Sequence, residues 1–430
     1  MTDSLFGPLP SRWRVTALGE ACAEGGGDIQ TGPFGSQLHA SDYVPVGIPS
    51  IMPQNIGDNR IIIDGIARIT LEDAQRLSRY RVRPGDIVYS RRGDVERRAL
   101  VRTEEDGWLC GTGCLRIRLG NDVLDPLFCS YYLGHPNVRA WIVRHAVGAT
   151  MPNLNTSILS ALPAVVPPLD EQRAIAAILG ALDDKIELNR RMNRTLEAMA
   201  RAIFTSWFVD FDPVRAKMES RLPFGMDADT AALFPDAFED SPLGQIPRGW
   251  SVSTIGDVVE LAYGKALKDS VRRTGTVPVF GSNGQVGWHD QALVKGPGIV
   301  VGRKGNPGVV TWASRDFFPI DTTFYVVPKG PICGIHYLFH TLSTQDLASL
   351  GADSAVPGLN RHMAYMSKLL VPSAVLIDAF EHVAAPLSTY ISANDEENRT
   401  LAAIRDALLP KLLSGDLRIA EAERCVEGVV

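Results

Sequence analysis

Residues 169–208 read LDEQRAIAAILGALDDKIELNRRMNRTLEAMARAIFTSWF and follow a double proline, Pro167-Pro168. Apolar side chains recur at three- and four-residue steps, at Ile175, Ile178, Leu182 and Ile186 and again at Leu196, Met199 and Ile203, which is the period of one helix face. Asp170 and Glu171 fall where the positive end of the helix dipole would lie. The stretch predicts one long amphipathic helix, and a stripe of that length has to be buried. The chain supplies a partner: 205 residues later, Ile391, Leu401, Ile404 and Leu408 stand at matching places. Two helices related by an internal repeat can pair antiparallel about a pseudo-twofold axis. Asn189 and Asn394 fall on the stripes, where amides meeting across the seam would fix the register at some cost in stability. Gly180 in the first helix and Pro386 in the second predict a bend at one level in both.

Outward from the helix the repeat continues. Met-Pro-Asn-Leu-Asn at 151–155 matches Val-Pro-Gly-Leu-Asn at 356–360, and Val166-Pro167 matches Val371-Pro372, both at an offset of 205. Upstream the offset drifts, as loop insertions would make it: Trp13 and Gly19 match Trp250 and Gly256, while Pro84-Gly85 and Gly93 match Pro297-Gly298 and Gly305. Each copy is one globular unit followed by one helix. The units, near 12–165 and 249–370, alternate β-branched runs such as DIVYS and GIVVG with Gly/Pro turns, and helical patches come late in each. The expected fold class is therefore mixed α+β: two similar domains plus two long helices pairing as an antiparallel coiled coil. The boundaries fall at 1–166 for the first domain, 167–208 for the central helix, 209–247 for an acidic linker, 248–371 for the second domain, 372–415 for the C-terminal helix and 416–430 for a tail.

A chain of 430 residues, 45% apolar and 21% charged, is long enough for two cores and normal in composition for globular protein. No run approaches the length of a membrane span and the N-terminus lacks a basic-then-apolar leader, so a cytoplasmic location is expected. Six scattered cysteines are unlike a disulfide framework and are expected to be reduced. Cys110 and Cys114 lack a second ligand pair at zinc spacing, and His336 and His340 lack a glutamate between them, so no metal is expected.

The formal charge of −6 argues at first sight against a nucleic-acid partner, but the distribution does not. Residues 76–102 carry nine arginines against three acids and residues 265–304 seven basic residues against two acids, whereas 209–247 holds eight acids against three bases. Within the basic stretches, Arg91-Arg92 and Arg303-Lys304 follow apolar strands and are flanked by glycine, so short loops present cations where backbone can approach phosphate. Arg97, Arg98 and Lys265 extend these stretches, and Ser282 and Asn283 are small polar groups suited to phosphate or adenine.

Several motifs carry a family resemblance. Thr-Gly-Pro-Phe-Gly-Ser at 31–36, ending on Ser36, Gly85-Asp86-Ile87-Val88 leading into Arg91-Arg92-Gly93-Asp94, Gly302-Arg303-Lys304-Gly305, Pro167 to Gln172 and Leu408 to Gly415 together resemble the specificity subunits of type I restriction-modification systems, over almost the whole chain. The resemblance implies two target-recognition domains that read a bipartite double-stranded DNA target. It also implies docking to two modification subunits and to restriction subunits, with S-adenosylmethionine, ATP and magnesium held only by those partners. The second helix departs from the pattern, lacking the Pro-Leu-Asp-Glu-Gln start. In keeping with a chain without its own catalysis, no phosphate loop, methyltransferase Asn/Asp-Pro-Pro-aromatic motif or nuclease cluster is present. The alternatives are a coiled-coil adaptor that binds only protein, or a fused methyltransferase or nuclease whose motifs go unrecognised.

Overall fold

The computed structural model describes residues 4–148, 151–330, 334–350 and 358–429. Cys333 and the Val356-Pro357 part of the second repeat motif lie outside the described residues. The chain divides into two compact units, Met1–Leu188 with Glu397–Val430, and Asn189–Glu396. The division falls within both long helices, Leu169–Phe208 and Ala374–Ser414, so each unit contains part of both.

In unit 1, strand Arg14–Ala17 pairs antiparallel with Pro163–Val166, the strand that leads into the central helix. A five-stranded sheet runs in the order Gly26–Thr31, Cys114–Gly120, Ile87–Ser90, Arg98–Leu100, Asp58–Asn59. A three-stranded sheet runs Ala67–Ile69, Tyr43–Ile51, Leu109–Cys110, its last pair parallel. Unit 2 repeats this plan. Ser251–Thr254 pairs with Lys368–Val371. The main sheet runs Val259–Tyr263, Thr323–Pro328, Gly298–Gly302, Val310–Ala313. The small sheet runs Gly284–His289, Val277–Gly281, Phe318–Pro319, again with a parallel last pair. The fold is thus mixed helix and strand, and the repeat in the sequence is a repeat of topology, with the short strand Asp58–Asn59 added in unit 1. The inner strands Ile87–Ser90 and Gly298–Gly302 are buried throughout, which is why they read as continuous apolar runs rather than alternating ones.

Within unit 1 the helices pair antiparallel: Ile175, Ile178, Leu179, Leu182 and Ile186 share a core with Leu401, Leu408, Leu412 and Leu413, and Arg405 Nη1 lies 2.7 Å from Asp183 Oδ1. Within unit 2, Phe204, Trp207 and Phe208 surround Phe380 with ring centroids 5.7, 6.1 and 5.4 Å away. There Asn394 Nδ2 donates to Asn193 Oδ1 at 2.8 Å, and Asn193 Nδ2 donates to Asp395 Oδ1 at 2.8 Å. The numbers of facing partners add to 588 for Asp183 with Arg405 and to 587 for Asn193 with Asn394, so one antiparallel register describes the pairing inside each unit.

Two sequence expectations about the helices change. Met199 is 48% exposed and lies off the seam. Asn193, Ala200 and Phe204 are the buried positions there, because the stripe follows a face that passes one residue to the side of Met199. Ile186, Leu401 and Leu408 are buried, while Leu196, Ile203, Ile391 and Ile404 are half-buried at its edge. Asn394 meets Asn193, one turn on from Asn189, which is itself buried. Neither Gly180 nor Pro386 interrupts its helix. A Cβ on Gly180 would lie 3.2 Å from Leu127, so the glycine admits the neighbouring helix Pro126–Gly134 at close range.

The acidic stretch 209–247 is folded. It forms helices Asp212–Met218 and Ala228–Ala232 and the hairpin Phe238–Ser241 with Gly244–Pro247, and it places Val214, Phe234 and Ile246 in the core of unit 2. Cys22, Cys110, Cys114 and Cys129 are buried free thiols and Cys425 is an exposed one. His336 and His340 lie in helix Ile335–Thr344, the first bonded to Glu381 and the second stacked on Phe204. Among the described residues no cluster of His, Cys, Asp or Glu is arranged to hold a metal ion, and no helix is long and apolar enough to cross a membrane.

Candidate nucleic-acid interface

In each main sheet the sequence-selected loops gather at one end. In unit 1, strands Gly26–Thr31 and Ile87–Ser90 finish there while Cys114–Gly120 and Arg98–Leu100 begin there, so the loop at 32–38 lies beside the loop at 91–97. Arg91 places its guanidinium carbon 5.7 Å from the ring centre of Phe34, and Phe34 is 53% exposed. Ser36 and Arg92 are exposed beside them. The loop is clamped: Arg91 N donates to the Gly113 carbonyl at 2.8 Å, Leu154 N donates to the Arg91 carbonyl at 2.8 Å, and Gly93 N donates to the Pro152 carbonyl at 3.1 Å. Gly93 has φ of 75°, a left-handed conformation that a β-carbon would strain.

Unit 2 builds the same device. Arg303 and Lys304 follow strand Gly298–Gly302, both backbone N–H groups donate to the Thr322 carbonyl, and Gly305 has φ of 85°. Leu359 N donates to the Arg303 carbonyl at 2.8 Å. The repeated Leu-Asn pairs, Leu154-Asn155 and Leu359-Asn360, therefore have a shared task. Their leucines are buried and bind the basic loop through backbone. Their asparagines cap the next helices, Asn155 Oδ1 accepting from Ile158 N at 2.8 Å and Asn360 Oδ1 from His362 N at 3.0 Å. Lys265 and Asn283 are exposed on neighbouring loops, and Ser282 sits against Gly305, where a Cβ would be 3.4 Å from its hydroxyl. Arg303 lies 4.8 Å from the ring centre of Tyr263, and Arg361 lies 4.7 Å from the same ring. Tyr263 is 48% exposed between these two cations.

The arginine run of unit 1 is not a single cationic face. Arg98 is directed inward: its Nε donates to the Ser130 carbonyl at 2.9 Å and its side chain is only 11% exposed, so it ties a strand to a helix. Arg97 is exposed but held by Asp94 at 2.7 Å, and Arg76 is held by Asp73 at 2.6 Å. Alternation along strand Arg98–Leu100 is what turns Arg98 away from the loop that carries Arg91. Sequence reasoning passed over Phe34, Tyr263 and Arg361. Phe34 stood in plain view as the one bulky residue of Thr-Gly-Pro-Phe-Gly-Ser, whereas Arg361 is remote from any basic run and only the fold brings it to Tyr263.

The chain matches the family model described as type I restriction modification DNA specificity domain over residues 10–198 and 247–402, one match per repeat. It is 26% identical to the type I restriction enzyme HindI specificity subunit of Haemophilus influenzae, over 86% of this chain and 95% of that protein. It is 22% identical to the type I restriction enzyme MjaIX specificity subunit of Methanocaldococcus jannaschii, over 97% of this chain and 96% of that protein. The crystal structure of the type I restriction-modification S subunit from M. genitalium shares the fold with a TM-score of 0.54 at 19% identity, over 93% of this chain and 96% of the other. Two matched domains, a duplicated topology and a paired-helix scaffold agree: the chain belongs to the family of type I restriction-modification specificity subunits.

Proposed function

We propose that the two loop clusters read the two halves of a bipartite double-stranded DNA target, and that the chain itself catalyses nothing. The observation that carries this reading is that one loop-clamping device is built twice with different side chains at its tip, Arg91-Arg92 near Phe34 in one unit and Arg303-Lys304 near Tyr263 in the other. A common clamp with unlike tips suits two sites that hold DNA alike and read it differently: backbone and cations position the phosphates, and guanidinium forks discriminate base edges. In this reading the modification subunits bring S-adenosylmethionine, the restriction subunits bring ATP and magnesium, and the assembly works in the cytoplasm. The test is binding of the purified chain with its modification partner to target duplex over a salt series, with radiolabelled S-adenosylmethionine supplied to the chain alone in parallel. Steep weakening with salt and no methyl transfer by the isolated chain are expected. Salt-independent binding, or turnover by the pure polypeptide, would overturn the proposal.

A further inference from the structure

Tyr263 closes strand Val259–Tyr263, and its ring gathers two guanidinium groups from distant parts of unit 2. Arg303 comes from the basic loop and Arg361 from the first position of helix Arg361–Met366. Both carbons lie within about 5 Å of one ring centre, so they are no more than about 10 Å apart, or about three base-pair steps. Backbone tethers each side chain: Arg303 Nη1 donates to the Asp321 carbonyl at 3.2 Å, and Arg361 Nη1 reaches the Leu261 carbonyl at 3.5 Å. Among the described residues neither guanidinium is ion-paired with a carboxylate, whereas Arg272, Arg273 and Arg315 of the same unit each have one, in Asp269, Asp290 and Glu396.

Two cations held at one ring without a carboxylate repel each other, and a partner rich in acceptors relieves that cost. Each guanidinium carries more N–H donors than one carbonyl satisfies. A phosphate needs only the charge, which the exposed Lys265 and Lys304 also offer. A ring that fixes the plane of a guanidinium matters for a flat, two-pronged contact, and guanine offers that contact through O6 and N7.

Unit 1 lacks this arrangement at the corresponding positions. Tyr263 faces Phe324, which faces Val301, as Thr31 faces Leu115, which faces Tyr89. The offset of 205 carries Arg361 to Thr156. Two threonines therefore stand where unit 2 has the ring and the second guanidinium, and Arg91 rests instead on Phe34 from the neighbouring loop.

We infer that Tyr263 is a positioning residue that holds Arg303 and Arg361 as a pair of guanine-reading forks, and that Arg361 is a second specificity-determining residue of unit 2. The half-site read by unit 2 then contains two guanines within about three base-pair steps of each other. The inference rests on the proposal that each unit reads one half of the target.

The test is sequencing of the methylated sites made in cells by complexes carrying Arg303→Ala, Arg361→Ala, Arg361→Lys, Tyr263→Leu or Tyr263→Phe. The parent should require two such guanines in one half-site. Arg303→Ala should relax one of them by about 10- to 100-fold, and Arg361→Ala and Arg361→Lys should each relax the other, because lysine keeps the charge and loses the fork. Tyr263→Leu should relax both, and Tyr263→Phe, which keeps the ring face, should restore them. Unchanged reading of the other half-site shows in each case that the complex is assembled and folded. Even weakening of all sequences by Arg361→Ala, with Arg361→Lys like the parent, makes Arg361 a phosphate contact and overturns the inference. So does a parent half-site without the two guanines, or a Tyr263→Leu complex that reads both as the parent does. Relaxation by Arg303→Ala with neither Arg361 variant changing any base overturns the inference while the two-half reading stands. Failure of every variant to relax any base removes that reading and the inference with it.

Discussion

Replacing Asp183 by alanine tests how unit 1 is fastened to its helices. The carboxylate accepts from Tyr131 and Arg405, both at 2.7 Å, with the side chains of Asp183 and Arg405 only 13% and 20% exposed. Removing it leaves a half-buried guanidinium and a buried hydroxyl short of a partner. Breaking a fully buried pair costs about 3 to 5 kcal/mol. Arg405 keeps Asp406 at 2.9 Å and Asp58 at 3.8 Å, so about 2 to 3 kcal/mol is the expected loss here. Most of that loss is the stranded charge rather than the pair, so adding Arg405→Met to Asp183→Ala should return the deficit to about 1 kcal/mol. The assay is urea unfolding read by hydrogen exchange of unit 1 peptides, which separates this unit from the other. A single variant within about 0.5 kcal/mol of the parent, or a double variant no better than the single, would refute the reasoning.

Met199→Lys should change stability by less than about 0.5 kcal/mol whereas Phe380→Ala, in the aromatic cluster of unit 2, should cost about 3 to 5 kcal/mol in the same titration, and equal costs would contradict the seam described above. Burial lowers the imidazoles of His135 and His340 from the usual 6.5 to about 4, so unfolding takes up protons between those values. Their stability is present above pH 6.5 and lost as pH falls toward 4, by about 2 kcal/mol each near pH 5, and a flat urea midpoint from pH 7 to 5 would exclude it. Matched insertions of about seven residues in both helices, between 188 and 189 and between 396 and 397, preserve the seam and add about 10 Å of helix. The preferred spacer between half-sites should then grow by about three base pairs, as seen in the methylated sites; an unchanged spacer in an active complex would count against the helices as a ruler.

The helices and the duplication were legible because period and offset are properties of sequence alone. Register was not. Asn189 and Asn193 are one turn apart on the same face, and nothing in a single sequence decides which of them meets Asn394. The start of the central helix is a related case: the double proline before Leu169 reads as the end of a rod. Gln172 there is bound to Asp125 N, Val123 O and Pro167 O, and the first turns of the helix are core of unit 1. An insertion at that point would unseat the domain instead of displacing it. At the loops, charge density selected the clamped Arg91 and Arg303 together with the inward-turned Arg98, because a count of arginines ignores the alternation that sends every second strand side chain to the far face. The Leu-Asn repeat was visible from the start, while its role as a loop clamp lies in backbone hydrogen bonds that carry no side-chain signature.

The central claim is that each unit reads its own half of the target. It is tested most directly by sequencing the methylated sites made in cells by complexes carrying Arg91→Ala with Arg92→Ala, or Arg303→Ala with Lys304→Ala. Each pair should relax or weaken one half-site, by about 1 to 3 kcal/mol for each base edge left unread, and keep the other half and the spacer as they were. Relaxation of both halves by either pair would contradict it.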